Sequence, residues 1–337
     1  MLQYDHENIA QLLLTDMRRA IMKKRLFVLI LALAVIFTFS AVPGSAASKQ
    51  VVEKSSKTYD VRDDGSLEMT GSTVRTFNPN GTVKTVKYTD RWFGTVYDEE
   101  GNPEEKWTKS TTESKYTYKN GKVKQLITKD DGKISNKQVY TYKNGKVKSI
   151  TLYSCDNGEY TKAKVTTYKR TSKKITETTK DMNGNETYKA IDTLDSKGRT
   201  KKSVIYYDGK KEGTYKTTYW KNGNMRKTEY NSIDGLYSNY TKYNKKGLVT
   251  EIYYRSGSSE GYQIEDKTEY TYDSNGLLKK AVVTDSETNN GETTVDHYTL
   301  TYKYSNWYGS TKKYPKTVWI RKDGKKIQKE VRSYVKI

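Results

Sequence analysis

Cysteine, histidine and proline are nearly missing from this chain: one Cys (Cys155), two His (His6 and His297) and four Pro in 337 residues. A disulfide scaffold needs cysteine pairs. Zinc sites built on Cys and His, Ser-His-Asp triads and Cys-His dyads have almost no raw material. Long apolar runs are also scarce, which excludes a multi-span helical membrane protein. Phe and Trp occur five times each, and hydrophobic residues make up 34% of the chain, so any core must be thin. Tyrosine is abundant instead, with 31 copies, and 61 Lys+Arg against 40 Asp+Glu give a formal charge of +21.

The single strongly apolar stretch is Leu26 to Phe39, directly after Lys23-Lys24-Arg25 and followed by Pro43-Gly44-Ser45-Ala46-Ala47. A basic n-region, a short apolar h-region and small residues before a cleavage point read as an export signal over 22–47, cut after Ala47. An uncleaved transmembrane anchor is the competing reading, although the run is shorter than the ~20 residues that a span requires. Residues 1–21 read as an extension upstream of a true start at Met22, since Arg18-Arg19 can be encoded as a ribosome-binding AGGAGG. Without residues 1–47 the net charge is +19. A protein this basic outside the membrane meets anionic polymers, and export argues against nucleic acid, the usual partner of such a balance.

The mature chain repeats itself. YTYKNGKVK occurs twice, from Tyr116 and from Tyr140, and variants recur from TFNPNGTVK at Thr76 to YTYDSNGLLKK at Tyr270. Their shared aromatic or apolar position falls at Phe77, Tyr97, Tyr118, Tyr142, Tyr168, Leu194, Tyr219, Tyr243 and Tyr272, at spacings of 20 to 29. A second series of turns lies between them at Gly132, Gly158, Gly184, Gly209, Gly235, Gly261 and Gly291, spaced 25 to 30 apart and mostly preceded by Asp or Asn. Asn-Gly and Asp-Gly between Thr-, Tyr-, Val- and Ile-rich runs are the strongest short-range hairpin signal. Each unit of about 25 residues therefore holds two turns and two strands of ~8–9 residues. Strict alternation places Val147 with Tyr153 on one face, and Leu277, Lys279, Ala281 and Val283 on one face.

The expected fold is all-β: an elongated antiparallel meander of tandem hairpins, roughly 20 strands, twisted or coiled, with a thin tyrosine-rich core. Sheets of more than ~10 strands rarely stay flat, so a curved ribbon or a partly closed barrel is expected. Residues 48–337 read as a single β-repeat domain, most regular over 110–305. A C-terminal hairpin over 306–337 is expected to cap the last edge, because an open edge invites pairing with another chain.

YTYDSNGLLKK and the two YTYKNGKVK copies resemble the YD repeat of bacterial Rhs-type wall and toxin proteins, whose unit reads roughly Tyr-x-Tyr-Asp-x-x-Gly-x-Leu. The Tyr-x-Asn-Gly-Lys-x-Lys form is also similar to the short hairpin repeats of MORN-like antitoxin proteins. The resemblance covers about residues 74–305, but only Tyr272-Asp273 carries the Tyr-Asp pair inside a full motif. It implies hairpin arrays, extracellular placement and, in some members, carbohydrate binding.

Individual residues say less. Asp63-Asp64-Gly65, Asp130-Asp131-Gly132 and Asp156-Asn157-Gly158 lack the alternating oxygen ligands of a calcium loop and read as turns. No unique carboxylate pair stands out for glycoside chemistry, and His297 has no nucleophile or metal-ligand company. The expectation is a non-enzyme without metal or cofactor. The candidate ligand contacts are Trp92, Trp107, Trp220 and Trp307, which depart from the tyrosine pattern, and Lys119 and Lys143 beside the repeat turns. The leading function is a secreted or surface-associated bacterial binding protein that holds an anionic cell-wall polymer or polysaccharide through a basic, aromatic-rich sheet, with no stable membrane insertion after signal cleavage. The alternative is a structural or protein-interaction module, antitoxin-like or a surface scaffold, that binds another protein through a sheet edge or its broad face, and a glycan-active enzyme ranks last.

Overall fold

The computed structural model describes residues 50–97, 102–258 and 261–337. The expected export signal and the upstream extension fall outside the described residues. The unit from Gln50 to Ile337 begins with β1 (Val51–Val61), β2 (Leu67–Phe77), β3 (Val83–Tyr97), β4 (Pro103–Lys119) and β5 (Lys122–Asp130). It continues with β6 (Lys133–Lys143), β7 (Lys146–Asp156), β8 (Glu159–Arg170), β9 (Lys174–Lys180) and β10 (Glu186–Leu194). Then come β11 (Thr200–Tyr207), β12 (Lys210–Tyr219), β13 (Met225–Ser232), β14 (Tyr237–Tyr243) and β15 (Val249–Gly257). The last strands are β16 (Gln263–Tyr272), β17 (Leu278–Asn289), β18 (Glu292–Trp307), β19 (Pro315–Lys322) and β20 (Lys325–Lys336). Every strand is antiparallel to its sequence neighbours in one 20-stranded sheet.

The sheet closes. β20 pairs with β1 from Val51↔Lys336 to Asp60↔Gln328, and Gln50 and Ile337 exchange backbone hydrogen bonds of 2.9 Å. This corrects the expectation of an open, elongated meander. The C-terminal hairpin does not cap an edge; it supplies the strand that seals the ring. Closure is the one arrangement that removes sheet edges altogether, and each terminal strand gains a full ladder of backbone bonds.

Turn chemistry sets the hairpins as the sequence predicts. Asn120 and Gly121 take φ of 53° and 70°, and the Asn or Asp before Gly145, Gly132, Gly158, Gly209 and Gly324 behaves the same way. Positive φ at both central residues is the I′ turn, whose twist matches the flanking strands. Five of the longer turns run from an Asx residue (Asn78, Asp181, Asp195, Asn244 or Asp273) to a Gly three positions on. Asp195 Oδ1, for example, accepts the amides of Lys197 and Arg199, each at 2.9 Å.

Strict alternation fails at one recurring place. Just inside most repeat turns the register shifts by one residue, as between Thr141 and Tyr142, where Tyr142 faces Val147 and Thr141 faces Ser149. Lys148 is the extra residue, a β-bulge, and it flips the faces of everything after it. Val147 and Tyr153 therefore lie on opposite faces, and the bulge at Lys279 likewise puts Leu278 with Ala281 and Val283.

With the bulges counted, one face of the wall collects most of the buried apolar side chains among the described residues: Val83, Ala190, Ile205, Tyr230, Ala281, Val283, Val318 and Ile320, while buried Pro315 falls on the other face with Thr317. We take this more buried face as the inner one, because side chains converge on the concave side of a closed sheet. Tyrosines cover it. Tyr215, Tyr230, Tyr237 and Tyr254 form a chain of ring contacts with centroids 4.6, 5.4 and 5.3 Å apart. Small residues lie beneath them. A Cβ on Gly213 would collide with the Tyr230 ring and with the Asn231 carbonyl at 2.6 Å.

The repeat tyrosine has a specific task. The bulge ends the ladder early, so the first carbonyl of the preceding strand lies beyond its last backbone pair. The phenol donates to it: Tyr118 to Val83 (2.8 Å), Tyr142 to Val123 (2.7 Å), Tyr219 to Thr200 (2.7 Å) and Tyr272 to Val249 (2.6 Å). Tyr304 to Leu278 and Tyr334 to Pro315 extend the series beyond the regular repeats. In the repeat that lacks glycine, Arg170 takes over and reaches Val147 at 2.5 Å. An unpaired half-buried carbonyl is costly, which explains why the motif keeps a Tyr where Phe would pack equally well.

Candidate binding surface

The same register sorts the charges. On the outer face Lys57, Lys137, Lys189, Lys267 and Lys329 sit near mid-strand, while acids gather inside, as at Asp60, Glu177, Asp192, Asp266, Asp285 and Glu330. The outer lysines even oppose one another: Lys119↔Lys122, Lys143↔Lys146, Lys202↔Lys216 and Lys227↔Lys242 are direct cross-strand partners. Like charges in that relation destabilise a sheet. Lys202 and Lys216 are both exposed, and no ion pair reaches either of them among the described residues.

Aromatic rings punctuate this face, each with lysines beside it. Lys137 Nζ lies 4.6 Å from the Tyr153 ring and 3.9 Å from Tyr160. Tyr240 stacks on Tyr253 at 5.0 Å with Lys227 at 4.6 Å and Lys242 at 5.1 Å. Trp319 has Lys326 at 4.5 Å and Lys329 at 5.2 Å. Glu251 sits below Tyr240. Burial would raise its carboxyl, but hydrogen bonds from Tyr240 (2.5 Å) and Lys242 (3.0 Å) outweigh that and hold it below the usual carboxylate range.

The inner face behaves differently. Burial pushes the phenols of Tyr230, Tyr272 and Tyr302 up to about 12, with neighbouring phenols and, for Tyr230 and Tyr302, carboxylates adding to it. Arg332 lies among Glu330, Glu53 and Tyr334, and Arg75 reaches Glu53 at 2.8 Å. Glu177 is pushed up by burial and then by Asp192.

The structure scatters the sequence-predicted contacts. Lys119 and Lys143 are exposed beside the turns of one rim. Trp220 and Trp307 lie at that same rim but on different strands. Trp220 Nε1 donates to the Tyr243 carbonyl at 3.0 Å, while Trp307 opposes Pro315 and touches Tyr304. Trp92 is half-buried opposite Thr108, and Trp107 is exposed opposite Phe93, towards the other rim. Trp107 lines a cavity together with Asp60, Arg62, Glu68, Thr70 and Phe93. Sequence reasoning missed those partners and the outer tyrosines, because both depend on faces that the bulges conceal. The single signal for the cavity was the irregular Trp92-Phe93 dipeptide. No cluster of metal-ligating side chains occurs among the described residues.

The chain is thus a closed antiparallel β-barrel whose outer face is rich in lysine, some of it paired with Glu229, Glu251 and Glu269, and whose inner face gathers acids around Arg75 and Arg332. No protein-family model matches it, and no curated protein matches it. Among solved structures it is similar to a porin-like protein from Bacteroides uniformis, at 12% identity and TM-score 0.33, over 74% of this chain and 97% of that one. A porin-like protein from Bacteroides vulgatus gives 11% identity and TM-score 0.29, over 83% and 98%. TcdB2-TccC3 without its hypervariable C-terminal region gives 11% identity and TM-score 0.26; the match covers 80% of this chain and 18% of that one.

Proposed function

We propose that this protein is an exported bacterial β-barrel that binds anionic envelope polymers or acidic polysaccharides on its outer wall. The observation that carries the reading is the segregation of charge, with lysines paired against lysines on one face. Such an arrangement opposes folding unless anions lie over it, and a phosphate- or carboxylate-bearing chain supplies them. The lysine-flanked rings of Tyr153, Tyr240 and Trp319 offer stacking surfaces along the same face. The tyrosine repeats and their YD-like form support extracellular placement, as does the apolar run at Leu26–Phe39.

The outer charges also argue that the barrel stands in water and not in lipid. A membrane barrel needs an apolar outer band, and each lysine at bilayer mid-depth costs about 2–4 kcal/mol. Mid-strand Lys57, Lys137, Lys189, Lys267 and Lys329 would together cost on the order of 10 kcal/mol or more. The competing interaction module loses the open terminal edges, since β1 and β20 bond to each other, and keeps the broad face.

The test is retention of the full chain on immobilised polyphosphate and on isolated bacterial walls. Binding is expected to fall steeply with salt, and K202E/K216E is expected to lower it without changing the circular-dichroism melt. Retention that is unchanged between low and high salt would overturn the proposal.

A further inference from the structure

β3 and β4 are longer than the wall requires. They pair with each other from Thr85↔Lys115 to Tyr97↔Pro103, yet β2 leaves β3 at Gly71↔Asp90 and β5 joins β4 only at Thr112↔Asp130. Residues 91–97 and 103–111 therefore project past the rim as a two-stranded ribbon, the form of sheet that twists most. A latch fixes its base: Asp131 Oδ1 accepts the Thr111 amide at 2.6 Å, and the Asp131 amide returns to the Thr111 carbonyl at 2.7 Å.

The ribbon carries Phe93 and Trp107 to the end of the β1–β2 hairpin. Their rings are 5.6 Å apart and tilted by 53°, and the Arg62 guanidinium lies 5.5 Å from the Trp107 ring. Between them is a cavity of about 270 Å³, floored by Asp60, Glu68 and Thr70. Glu68 is paired with Arg62, while Asp60 accepts from Gln328 Nε2 at 3.1 Å and from the Thr70 hydroxyl at 3.4 Å. Phe93 is 54% exposed and Trp107 37% exposed. The two rings form a cross-strand aromatic pair that supports the ribbon, yet both keep much of their area in water beside polar groups, and such an arrangement marks a site for something that covers them.

From this geometry we propose that the cavity binds a single uncharged hexopyranose residue of a glycan. The volume falls just below the ~300 Å³ lower limit for drug-sized ligands, which suits one ring. The apolar C–H face of a pyranose stacks on Trp107 and Phe93. Sugar hydroxyls both donate and accept, and the lining offers both functions: carboxylates at Asp60 and Glu68, donors at Arg62 and Thr70. A cation would need acceptors alone, and Arg62 already occupies that role. An anionic residue is disfavoured, because two carboxylates face one guanidinium. This pocket therefore selects against the polymers that the outer wall attracts, and it stands whether or not the wall binds them.

The experiment is saturation-transfer NMR and affinity electrophoresis of the full chain with β-1,4-linked hexamers of glucose and of N-acetylglucosamine, with oligoglucuronate as the charged comparison. Binding of at least one neutral hexamer is expected. It should weaken by about tenfold or more in W107A and in F93A, persist at high salt, and be unchanged in K202E/K216E, with oligoglucuronate much weaker. The ribbon lies outside the closed wall, so the melt of both aromatic variants should match the parent and report that they fold. Absence of binding by either neutral hexamer, binding that W107A leaves intact, or a preference for oligoglucuronate would each overturn the proposal. Loss of polyphosphate retention in K202E/K216E with neutral binding intact tests only the outer wall.

Discussion

On β12, Gly213 and Thr214 are neighbours in sequence and point to opposite sides of the wall, and their surroundings share almost nothing. Gly213 is buried beneath the Tyr230 ring, in a face where small residues floor a layer of phenols and burial pushes the Glu177 carboxyl above its usual range. Thr214 opposes Val204 and Asn231 on a face rich in lysine, whose aromatic rings are flanked by ammonium groups. The inner face holds the fold together by covering area with rings. The outer face contributes little to that and leaves its charge for a partner. One strand with a period of two thus separates stability from binding, residue by residue.

The largest expected break in that comparison comes from adding volume on each side in turn. Gly213→Val forces the Tyr230 ring and the Asn231 carbonyl to move, and overpacking of this kind costs about 1–3 kcal/mol, with the upper end expected here. Thr214→Val changes an exposed-side position of nearly the same size and is expected to stay within about 0.5 kcal/mol. Urea midpoints of the two variants measure the difference. Equal midpoints would mean that the tyrosine layer does not bear on stability.

A smaller difference is expected between phenols. Tyr272→Phe keeps the ring but leaves the Val249 carbonyl without its donor, at a cost of about 1–2 kcal/mol. Tyr153→Phe on the outer face removes a hydroxyl with no hydrogen-bond partner among the described residues, and the melt should barely change. The same pair separates functions. Tyr153→Phe leaves polyphosphate retention intact if the ring is what matters there, whereas Tyr153→Ala lowers it.

Much of the inner face was legible in the sequence, because the signals that build it are local. Asn-Gly and Asp-Gly announce two-residue hairpins, and Tyr-x-Tyr before the turns at Gly121, Gly145 and Gly276 announces part of the ring layer. Closure was not legible. The bond between Gln50 and Ile337 joins residues at opposite ends of the unit, and no local pattern encodes it. Faces were misread wherever a bulge intervened, as at Lys148, since one extra residue inverts a period of two without altering composition. That error also hid the pairing of Lys202 with Lys216 and the company of Lys137. Among the tryptophans, Trp107 emerged as a cavity residue only because β3 and β4 overrun their neighbours, a length difference that turn spacing alone does not reveal. Trp220 proved to be tied to a neighbouring turn through Tyr243.

The smallest effect, and the sharpest comparison, is in the pH dependence of two glutamates. Glu177 lies inside, opposite Tyr168 on β8 and Ala190 on β10, with Asp192 and Arg170 nearby. Burial first and Asp192 second raise its folded-state pKa above the unfolded value, so ionising it opposes the fold. That penalty is absent below the unfolded pKa and fully present once the pH exceeds the folded one. Glu177→Gln is therefore expected to raise stability at pH 7 and to leave it unchanged near pH 3. Glu251 lies outside, and its folded pKa is lowered: burial opposes ionisation, but the bonds from Tyr240 and Lys242 prevail. Its contribution is present above the unfolded pKa and is lost as the pH falls through the folded one, so Glu251→Gln should destabilise at pH 7 and be silent in acid. Denaturation midpoints of both variants from pH 3 to 8 should move in opposite directions relative to the parent as the pH rises. Parallel profiles would show that the two faces do not differ electrostatically, and the division of labour between them would have to be abandoned.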